Sequence, residues 1–369
     1  MSFNRILIEK KIREFLQEDC MFIDISSKSI PTDSISSAKI IAKSDGYLSG
    51  IEEIEILFHV LEVDVTLKKK DGDQIQNGDV IVELRGKTKD ILLGERVGLN
   101  LMSHMSAITS TTRKFVKIIE KSGKIVKIAC TRKTLPGLRL FEKKAVDFGK
   151  GDTHRFNLDD MVLLKSTHLK FYNGNIAELL KNMKNNVSFT KKIEVEVEKV
   201  EDVLIAVQNG ADIIMLDNMN PDSVQDAINL LKKNDLRENV TIEVSGNITQ
   251  DNIVDYLISE PDIISTSVLT QKPTEFVDFS EKIIGYCAIS FPWDFMGSKY
   301  KEFSQTKKLK LFIQGNRDTI ALYENFENHY NYYFEPKKYK IINGADHFYS
   351  GFEENVAQEV NEFYNSITK

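Results

Sequence analysis

Between residues 131 and 168, four side chains that are or can become cationic stand in loop-like sequence, and a lysine closes a short apolar run. The chain carries a net charge of −6, so this concentration of positive charge runs against its own background. Guanidinium and ammonium groups gathered in loops suit a small anion with several charges. The five residues are Arg132, Lys133, His154, Arg155 and Lys165.

The elements that must position these side chains alternate between short apolar runs and helical patterns after Gly123. Repeated strand–helix units predict a parallel sheet, and this many units predict an α/β barrel. The predicted strands span residues 125–129, 161–164, 193–197, 213–216, 241–244 and 263–264. The predicted helices between them span residues 139–147, 176–183, 200–207, 221–231 and 251–258.

Polar residues stand at or just beyond the carboxyl end of each predicted strand. In α/β barrels these ends meet at one face, which is where their active sites lie. We therefore expect cations from the early strands and carboxylates from the middle strands to share one pocket. The residues at the strand ends are Arg132, Lys133, Lys165, Glu196, Asp217, Ser245 and Ser267.

The residue types indicate three kinds of ligand group. The cations suit carboxylates or phosphates, and Glu196 with Asp217 suits sugar hydroxyls and a Mg²⁺ ion. The runs Ser245-Gly246-Asn247 and Ser265-Thr266-Ser267 each precede a predicted helix, where backbone N–H groups suit a phosphate monoester. A ribose with a phosphate at one end and a pyrophosphate at the other would use all three features. That molecule is phosphoribosyl pyrophosphate.

Length and composition indicate several globular domains. At 369 residues the chain is long enough for two or three domains, and we place them at 1–107, 108–284 and 285–369. The first is predicted to be an α/β sandwich, with a helix at 6–16, strands at 38–42, 63–67 and 80–84, and a helix at 51–61. A long helix at 92–121 leads into the barrel.

The same composition excludes other classes of protein. A pI near 5.7 argues against a nucleic-acid binder that relies on a broad basic face. No apolar run is long enough for a membrane span, and the N-terminus lacks the apolar stretch of a signal peptide. Three widely separated cysteines suggest neither a disulfide framework nor a zinc site. We expect a cytoplasmic protein.

Over residues 23–284 the sequence resembles the quinolinate phosphoribosyltransferases, also called nicotinate-nucleotide pyrophosphorylases (carboxylating). Several motifs recur in order at the expected separations, which makes the resemblance specific. The matching strings are Gly94-Glu95-Arg96-Val97-Gly98-Leu99-Asn100, Thr131-Arg132-Lys133-Thr134-Leu135-Pro136-Gly137-Leu138-Arg139, His154-Arg155-Phe156-Asn157-Leu158, Glu194-Val195-Glu196-Val197, Gly210-Ala211-Asp212, Leu216-Asp217-Asn218, Glu243-Val244-Ser245-Gly246 and Leu269-Thr270-Gln271.

The resemblance implies an N-terminal α/β sandwich, an incomplete α/β barrel and a dimer in which each sandwich covers the partner's barrel. It implies that the chain joins quinolinate to phosphoribosyl pyrophosphate, giving nicotinate mononucleotide, pyrophosphate and CO₂ in NAD biosynthesis, with Mg²⁺ as cofactor. It also implies a role for each site residue. Arg96 would enter the partner's site; Arg132, His154, Arg155 and Lys165 would hold the quinolinate carboxylates; Lys133 and Lys165 would face the pyrophosphate; Glu196 and Asp217 would hold the ribose and Mg²⁺; Ser245, Gly246, Asn247, Ser265 and Ser267 would bind the 5-phosphate.

Three departures from the family pattern keep a second interpretation open. The family usually has Ser-Gly-Gly at Ser245-Gly246-Asn247, Gly at Ser267 and Asp-Asn-His at Ser166-Thr167-His168. Asn tolerates a left-handed backbone, so the first departure is mild. A paralogous group associated with molybdenum uptake shares the fold, and the alternative is a relative of that type that acts on another substrate.

The last part of the chain, residues 285–369, lies outside this resemblance. Strands at 310–314 and 340–342 and a helix at 356–364 resemble the end of an α/β-hydrolase. Asp318 and His347 match the acid and base of a Ser-His-Asp triad, but no Gly-x-Ser-x-Gly occurs in the chain. We expect a catalytically silent extension with an open sheet edge, and a hydrolase-like module is the alternative.

Overall fold

The structure, a computed structural model, describes residues 4–289 and 307–367. Its strands are β1 Ile35–Ala42, β2 Gly46–Tyr47, β3 Asp64–Leu67, β4 Gln74–Ile75, β5 Val80–Lys87, β6 Lys127–Cys130, β7 Val162–Leu164, β8 Ile193–Val197, β9 Ile213–Asp217, β10 Thr241–Ser245, β11 Ile263–Thr266, β12 Phe279–Ile289, β13 Leu309–Gly315 and β14 Lys337–Ile342. Its α-helices are α1 Arg5–Asp19, α2 Ile51–Val60, α3 Thr88–Ser122, α4 Arg139–Phe148, α5 Ser166–Lys170, α6 Ile176–Asn186, α7 Val200–Gln208, α8 Pro221–Lys233, α9 Ile253–Leu257, α10 Val268–Gln271, α11 Phe326–Tyr330 and α12 Glu353–Ile367.

Six parallel strands form the predicted barrel, in the order β6-β11-β10-β9-β8-β7. The two end strands, β6 and β7, do not pair with each other, so the barrel is incomplete. Helices follow the strands along the chain, as the alternating pattern predicted. The strands are rich in Ile, Val and Leu because both faces of a parallel sheet are buried. The predicted α/β class with a barrel-like second part is confirmed.

A second sheet carries the N-terminal part of the chain, in the order β14-β13-β12-β1-β5-β3. In it, β1 pairs antiparallel with both β5 and β12. One face packs against α2 and α3 through alternate residues such as Ala38, Ile40, Val82 and Leu84, which are buried. This is the predicted sandwich, with β12 as a strand that the sequence patterns did not predict.

Helix α3 joins the sheet to the barrel and runs without a break through residues 107 and 108. It packs closely on α2, because a Cβ atom at Gly94 would lie only 2.6 Å from Leu57 Cδ2. One apolar core includes residues of both parts, among them Val82 and Val244. The predicted division at residue 107 therefore stays a prediction. No helix in the described part of the chain, α3 included, has the length and apolarity to cross a membrane.

The C-terminal strands extend the N-terminal sheet instead of forming a sheet of their own. Strand β13 runs parallel to β12, and β14 runs parallel to β13. Helix α12 packs over this extension, where Tyr364 donates a hydrogen bond to the Ile35 carbonyl at 2.8 Å. The Arg85 guanidinium lies 4.6 Å from the centre of the Tyr364 ring. The sequence predicted an extension with an open sheet edge. In the structure, strand β13 of the extension is paired with β12.

Substituting Tyr364 with Ala should lower the free energy of unfolding by about 3 kcal/mol, because it leaves a cavity beneath α12. Tyr364 is 3% exposed. Urea-induced unfolding followed by circular dichroism measures the change. Tyr323→Ala, at a position that is 41% exposed, is the control and should shift stability far less. Equal effects of the two substitutions would contradict the packing described.

Candidate active site

The carboxyl ends of the barrel strands surround a cavity of about 880 Å³. It brings together residues that the sequence placed on successive strands and that lie more than one hundred positions apart. The predicted residues that line it are Arg132, Lys133, His154, Arg155, Lys165, Glu196, Asp217, Ser245, Gly246, Asn247, Ser265 and Ser267. The shared pocket is therefore as expected, whereas the role of each residue stays a prediction.

Arg132 and Lys133 follow β6 in a loop that ends at α4. The Lys133 N–H donates to Thr131 Oγ1 at 3.1 Å, which turns the chain immediately after the strand. The Glu142 carboxylate, from α4, accepts from the Leu135 N–H at 3.2 Å. The loop is therefore held at both ends, and its two cationic residues reach the cavity from a fixed backbone.

His154 and Arg155 lie in the segment that follows α4. His154 has a φ of 50°, an unusual conformation for this residue type, and its N–H donates to Asp152 Oδ1 at 2.8 Å. The buried Lys143 ammonium donates to the Thr153 carbonyl and, at 2.8 Å, to the Arg155 carbonyl. These contacts hold the segment against the barrel.

Arg155 is 8% exposed, and its guanidinium lies in the field of Arg132. Burial and then the Arg132 charge lower the pKa of Arg155, while Glu194 opposes them. An Arg remains charged in spite of such a shift. Two guanidinium groups that line one cavity favour a ligand that carries two negative charges.

The His154 imidazole connects this segment to two buried glutamates. Its Nε2 lies 2.9 Å from Glu243 Oε2 and 3.5 Å from Glu194 Oε2, and both carboxylates are fully buried. Burial lowers the pKa of His154, but the two carboxylates outweigh it and raise the value to about 10. The Arg155 N–H points at Nδ1 from 2.7 Å and opposes a proton there. A proton on Nδ1 would break this backbone contact, so the contact holds the ring in the neutral form with its proton on Nε2, against the upward pull of the carboxylates on the pKa.

Lys165 and Glu196 form an ion pair across neighbouring strands, with Nζ 3.1 Å from Oε2. Asp217, at the end of β9, accepts from Asn218 Nδ2 at 2.8 Å. Burial and then the charge of Glu196 raise the pKa of Asp217. Two carboxylates that repel each other beside one lysine form a set of hard oxygen ligands, which suits Mg²⁺ and hydroxyl groups.

The turn after β10 has an open backbone concavity. Gly246 has a φ of 101° and Asn247 a φ of 52°, so Asn247 takes the left-handed conformation that was expected of it. Asn247 Nδ2 donates to Asn218 Oδ1 at 3.1 Å, and Ser265 Oγ donates to Ser245 Oγ at 3.0 Å. Successive N–H groups in such a turn can cradle an anion.

The helix predicted at 251–258 after this turn is present as α9, Ile253–Leu257, which begins two residues later and ends one residue earlier than predicted. Thr249 N–H donates to Asn252 Oδ1 at 2.8 Å in the intervening turn, which delays the helix. The N–H groups at Ser245–Asn247 thus belong to the turn itself. Ser267, in contrast, directly precedes α10, as predicted.

Arg96 does not line the cavity of its own chain. It projects from α3 with a side chain that is 64% exposed, and its nearest acidic neighbour, Glu95, is 3.8 Å away. The resemblance places this side chain in a partner's site, and the exposed position is compatible with that expectation.

Sequence reasoning assigned no role to Glu194 and Glu243. Both are charged residues inside apolar strands, Ile193–Val197 and Thr241–Ser245, and each stands two positions before a predicted site residue. Side chains two apart in a strand share a face. This spacing of two along each strand was the sequence signal that could have identified Glu194 and Glu243. Asn218 and Gln271 also line the cavity without having been predicted.

The C-terminal extension brings its acid and base together as the sequence predicted. His347 Nδ1 lies 3.0 Å from Asp318 Oδ2, and Asp318 Oδ1 also accepts from the Ala321 N–H at 2.8 Å. A base with no nucleophile performs no acyl transfer, and the sequence offers no Gly-x-Ser-x-Gly. The catalytic silence of the extension stays a prediction.

Comparison with known proteins gives one consistent result. Residues 24–106 match the description "Quinolinate phosphoribosyl transferase, N-terminal domain", and residues 108–282 match "Quinolinate phosphoribosyl transferase, C-terminal domain". The probable nicotinate-nucleotide pyrophosphorylase (carboxylating) of Archaeoglobus fulgidus is 42% identical, covering 69% of this chain and 96% of that protein. The nicotinate-nucleotide pyrophosphorylase (carboxylating) of Rattus norvegicus is 32% identical, covering 75% and 91%.

Solved structures agree. The crystal structure of NadC from Streptococcus pyogenes superposes with a TM-score of 0.71 at 33% identity, covering 76% of this chain and 98% of that one. The nicotinate-nucleotide pyrophosphorylase of Francisella tularensis superposes with a TM-score of 0.70 at 31% identity, covering 76% and 98%. The family domains end at residue 282, so the C-terminal extension lies beyond them.

The turn after β10 can be tested by substituting Gly246 with Ala. A Cβ atom there would lie 2.3 Å from Asn218 Oδ1, and the φ of 101° is strained for any L side chain. We expect a loss of more than 1 kcal/mol in the free energy of unfolding. Gly78→Ala is the matched control, because Gly78 has a φ of 94° but no atom within 4 Å of the new Cβ. Urea unfolding of both variants separates the clash from the strain, and equal losses would contradict the contact with Asn218.

Proposed function

The chain belongs to the quinolinate phosphoribosyltransferase family, and on that premise we propose that it makes nicotinate mononucleotide from quinolinate and phosphoribosyl pyrophosphate. The reaction releases pyrophosphate and CO₂ and supplies NAD biosynthesis. The observation that carries the proposal is the convergence of Arg132, Arg155, Lys165, Glu196 and Asp217 on one cavity of about 880 Å³. That volume suits a pyridine dicarboxylate beside an activated sugar.

Quinolinate would bind at the end of the cavity formed by Arg132, His154 and Arg155. Its two carboxylates are adjacent on one ring, and two guanidinium groups in the same cavity complement those two charges. Lys165 would complete this end while its ammonium also faces the sugar, where it pairs with Glu196. Lys133, from the loop after β6, would face the pyrophosphate.

The ribose would lie over Glu196 and Asp217, whose carboxylates accept hydrogen bonds from hydroxyl groups. The same donor set fits Mg²⁺, because the ion prefers carboxylate oxygens and its charge would relieve the repulsion that raises the pKa of Asp217. When bound, Mg²⁺ would neutralise charge on the leaving pyrophosphate. The N–H groups of Ser245–Asn247, with Ser265 and Ser267 beside them, would hold the 5-phosphate.

The residues would act by position and charge. The pyridine nitrogen attacks C1 of the ribose as the bond from C1 to pyrophosphate breaks, and the developing positive charge on the sugar is stabilised by Glu196 and Asp217. The nitrogen carries no proton, so this step needs no general base. The pyridinium then accepts the electron pair left behind as the adjacent carboxylate departs as CO₂, and a proton replaces it on the ring.

A relative of the molybdenum-uptake type with another substrate is the alternative, and the departures at Ser267 and Ser166-Thr167 motivate it. Incubation with phosphoribosyl pyrophosphate and either quinolinate or nicotinate distinguishes the two. Release of CO₂ with quinolinate and no product with nicotinate supports the proposal. The absence of a product from quinolinate refutes it.

We also propose a cytoplasmic homodimer or higher even oligomer in which Arg96 enters the partner's cavity. The exposed position of Arg96 outside its own cavity supports this arrangement. Cys20, Cys130 and Cys287 are all free thiols, as a reducing compartment would keep them.

Arg132→Ala and Lys165→Ala should each lower turnover by about a hundredfold or more, the usual cost of losing one transition-state donor. Formation of nicotinate mononucleotide from quinolinate measures the rate. Lys170→Ala changes an exposed lysine that does not line the cavity, and it should leave the rate unchanged. Near-wild-type turnover in both cavity variants would refute the assignment of the site.

Removal of divalent cations with a chelator should abolish turnover, and added Mg²⁺ should restore it. Glu196→Gln and Asp217→Asn should raise the Mg²⁺ concentration for half-maximal rate, because each removes a charged oxygen ligand. That concentration should also rise as the pH falls, since burial and Glu196 raise the pKa of Asp217 and a proton then competes with the ion. Full activity in chelator would contradict the role of the ion.

Mixing the inactive variants Arg96→Ala and Lys165→Ala should restore about a quarter of the wild-type activity, once the subunits have exchanged. Half of the dimers would then be mixed, and one of their two sites would combine an intact barrel with an intact Arg96. Lys165→Ala mixed with Asp217→Ala is the control, because both substitutions fall in the same barrel. If Arg96 acts within its own chain, the first mixture would stay as inactive as the control.

A further inference from the structure

Two glutamates lie beneath the cationic end of the cavity, and nothing in the proposed reaction uses them. Glu194 comes from β8 and Glu243 from β10, with β9 between them in the sheet. Both are fully buried, and only Glu243 reaches the cavity wall. Burying two carboxylates so close together is costly because each charge loses its water, so their presence here indicates a task.

Their contacts identify the task. Both carboxylates approach the same atom, His154 Nε2, at 2.9 Å from Glu243 and 3.5 Å from Glu194. The opposite nitrogen, Nδ1, accepts the Arg155 N–H at 2.7 Å. With Nδ1 occupied in this way, the ring proton lies on Nε2 and is donated to Glu243. The three residues are close enough for a metal ion, but a protonated Nε2 has no lone pair to offer one.

The chain of contacts continues to the guanidinium of Arg155. Its backbone N–H is held by the His154 ring, and its carbonyl is held by the Lys143 ammonium at 2.8 Å. The peptide groups on both sides of Arg155 are thus fixed by buried partners. With its backbone fixed, Arg155 can move only by rotation of its side chain. The orientation of the His154 ring therefore helps to set the position of the Arg155 backbone from which that side chain extends.

Charge supports the same reading. Arg132 and Arg155 repel each other in the cavity, and Glu194 is the acid whose field opposes that repulsion at Arg155. A pair of guanidinium groups held together without a nearby anion would turn towards solvent. The charge of Glu194 therefore offsets part of the repulsion at Arg155 before any ligand arrives.

We propose that Glu243 and Glu194 are positioning residues for the dicarboxylate substrate: through His154 they fix Arg155 beside Arg132 as a receptor for two adjacent carboxylates. This inference rests on the proposed function and deepens it. The ligand class is a planar ring that carries two neighbouring carboxylates. Both glutamates contact His154, so we expect their influence to fall on the dicarboxylate substrate.

Glu243→Ala and Glu243→Gln test the proposal in the full-length protein. The Ala variant should raise the KM for quinolinate by about tenfold or more, because it leaves Nε2–H without its buried acceptor, while the KM for phosphoribosyl pyrophosphate stays within about twofold. The Gln variant retains an acceptor oxygen and should recover much of the loss. Glu194→Gln should act in the same direction and more weakly, since its contact is longer.

A second measurement does not depend on turnover. Calorimetric titration with phthalate, which has the two adjacent carboxylates but no ring nitrogen, reports the receptor alone. The wild type should bind phthalate, and Glu243→Ala should weaken binding by about the same factor as it raises the KM for quinolinate. If the chain proves to use another substrate, loss of phthalate binding in the variant still supports the receptor.

Glu53→Ala is the matched control. Glu53 is a buried carboxylate in α2 that pairs with Lys144 at 2.7 Å, remote from the cavity lining. Its substitution should lower thermal stability without separating the two KM values. The proposal is overturned if phthalate fails to bind the wild type, if Glu243→Ala leaves phthalate binding unchanged, or if both KM values rise together as they would in a merely unstable protein. Should Glu243→Ala fail to fold, Glu194→Gln carries the comparison, because it is expected to raise the KM for quinolinate in the same direction.

Discussion

Repulsion between like charges is the constraint on which this site depends. Arg132 and Arg155 share one end of the cavity, and Glu196 and Asp217 share another. Each pair has a group of the opposite sign nearby: Glu194 acts on Arg155, and Lys165 forms an ion pair with Glu196. A ligand that is anionic at one end and rich in hydroxyls beside it fits this pattern because it replaces repulsion with attraction in both places.

The register of the parallel strands determines which of these charged side chains lie next to each other. Asp217, Ser245 and Ser265 stand at the same level on three neighbouring strands. One level below, Glu196 and Glu243 flank Met215 across β8, β9 and β10. Side chains two residues apart share the face that points into the barrel. Strand β10 therefore places Ser245 at the upper level and Glu243 at the level beneath it. Glu243, which contacts His154, and Glu196, which would bind the sugar, thus lie at the same level on two strands of one sheet.

The polar residues at the strand ends could be predicted from the sequence because their signals are local. A polar residue directly after an apolar run marks a strand end, and six such ends, read together, predicted one pocket. The roles of Glu194 and Glu243 were not predicted because they depend on a partner that is distant in sequence. Glu243 contacts His154, which lies 89 positions away. The positive φ of His154 has no local sequence signature. Likewise β12 was not predicted, because the neighbour that gives it a place, β1, lies more than two hundred residues earlier.

The C-terminal extension covers an edge strand of the N-terminal sheet. Without it, β12 would be an exposed edge of the N-terminal sheet, with unpaired N–H and C=O groups that invite association. Strands β13 and β14 move that edge outward, and β14 carries Lys337, Lys338 and Lys340, whose charges discourage pairing with another strand. No described residue after Lys272 lines the cavity. The described part of the extension therefore contributes no lining residue, and its own pair of Asp318 and His347 lies in a separate structural setting, built around β13 and the loop after β14.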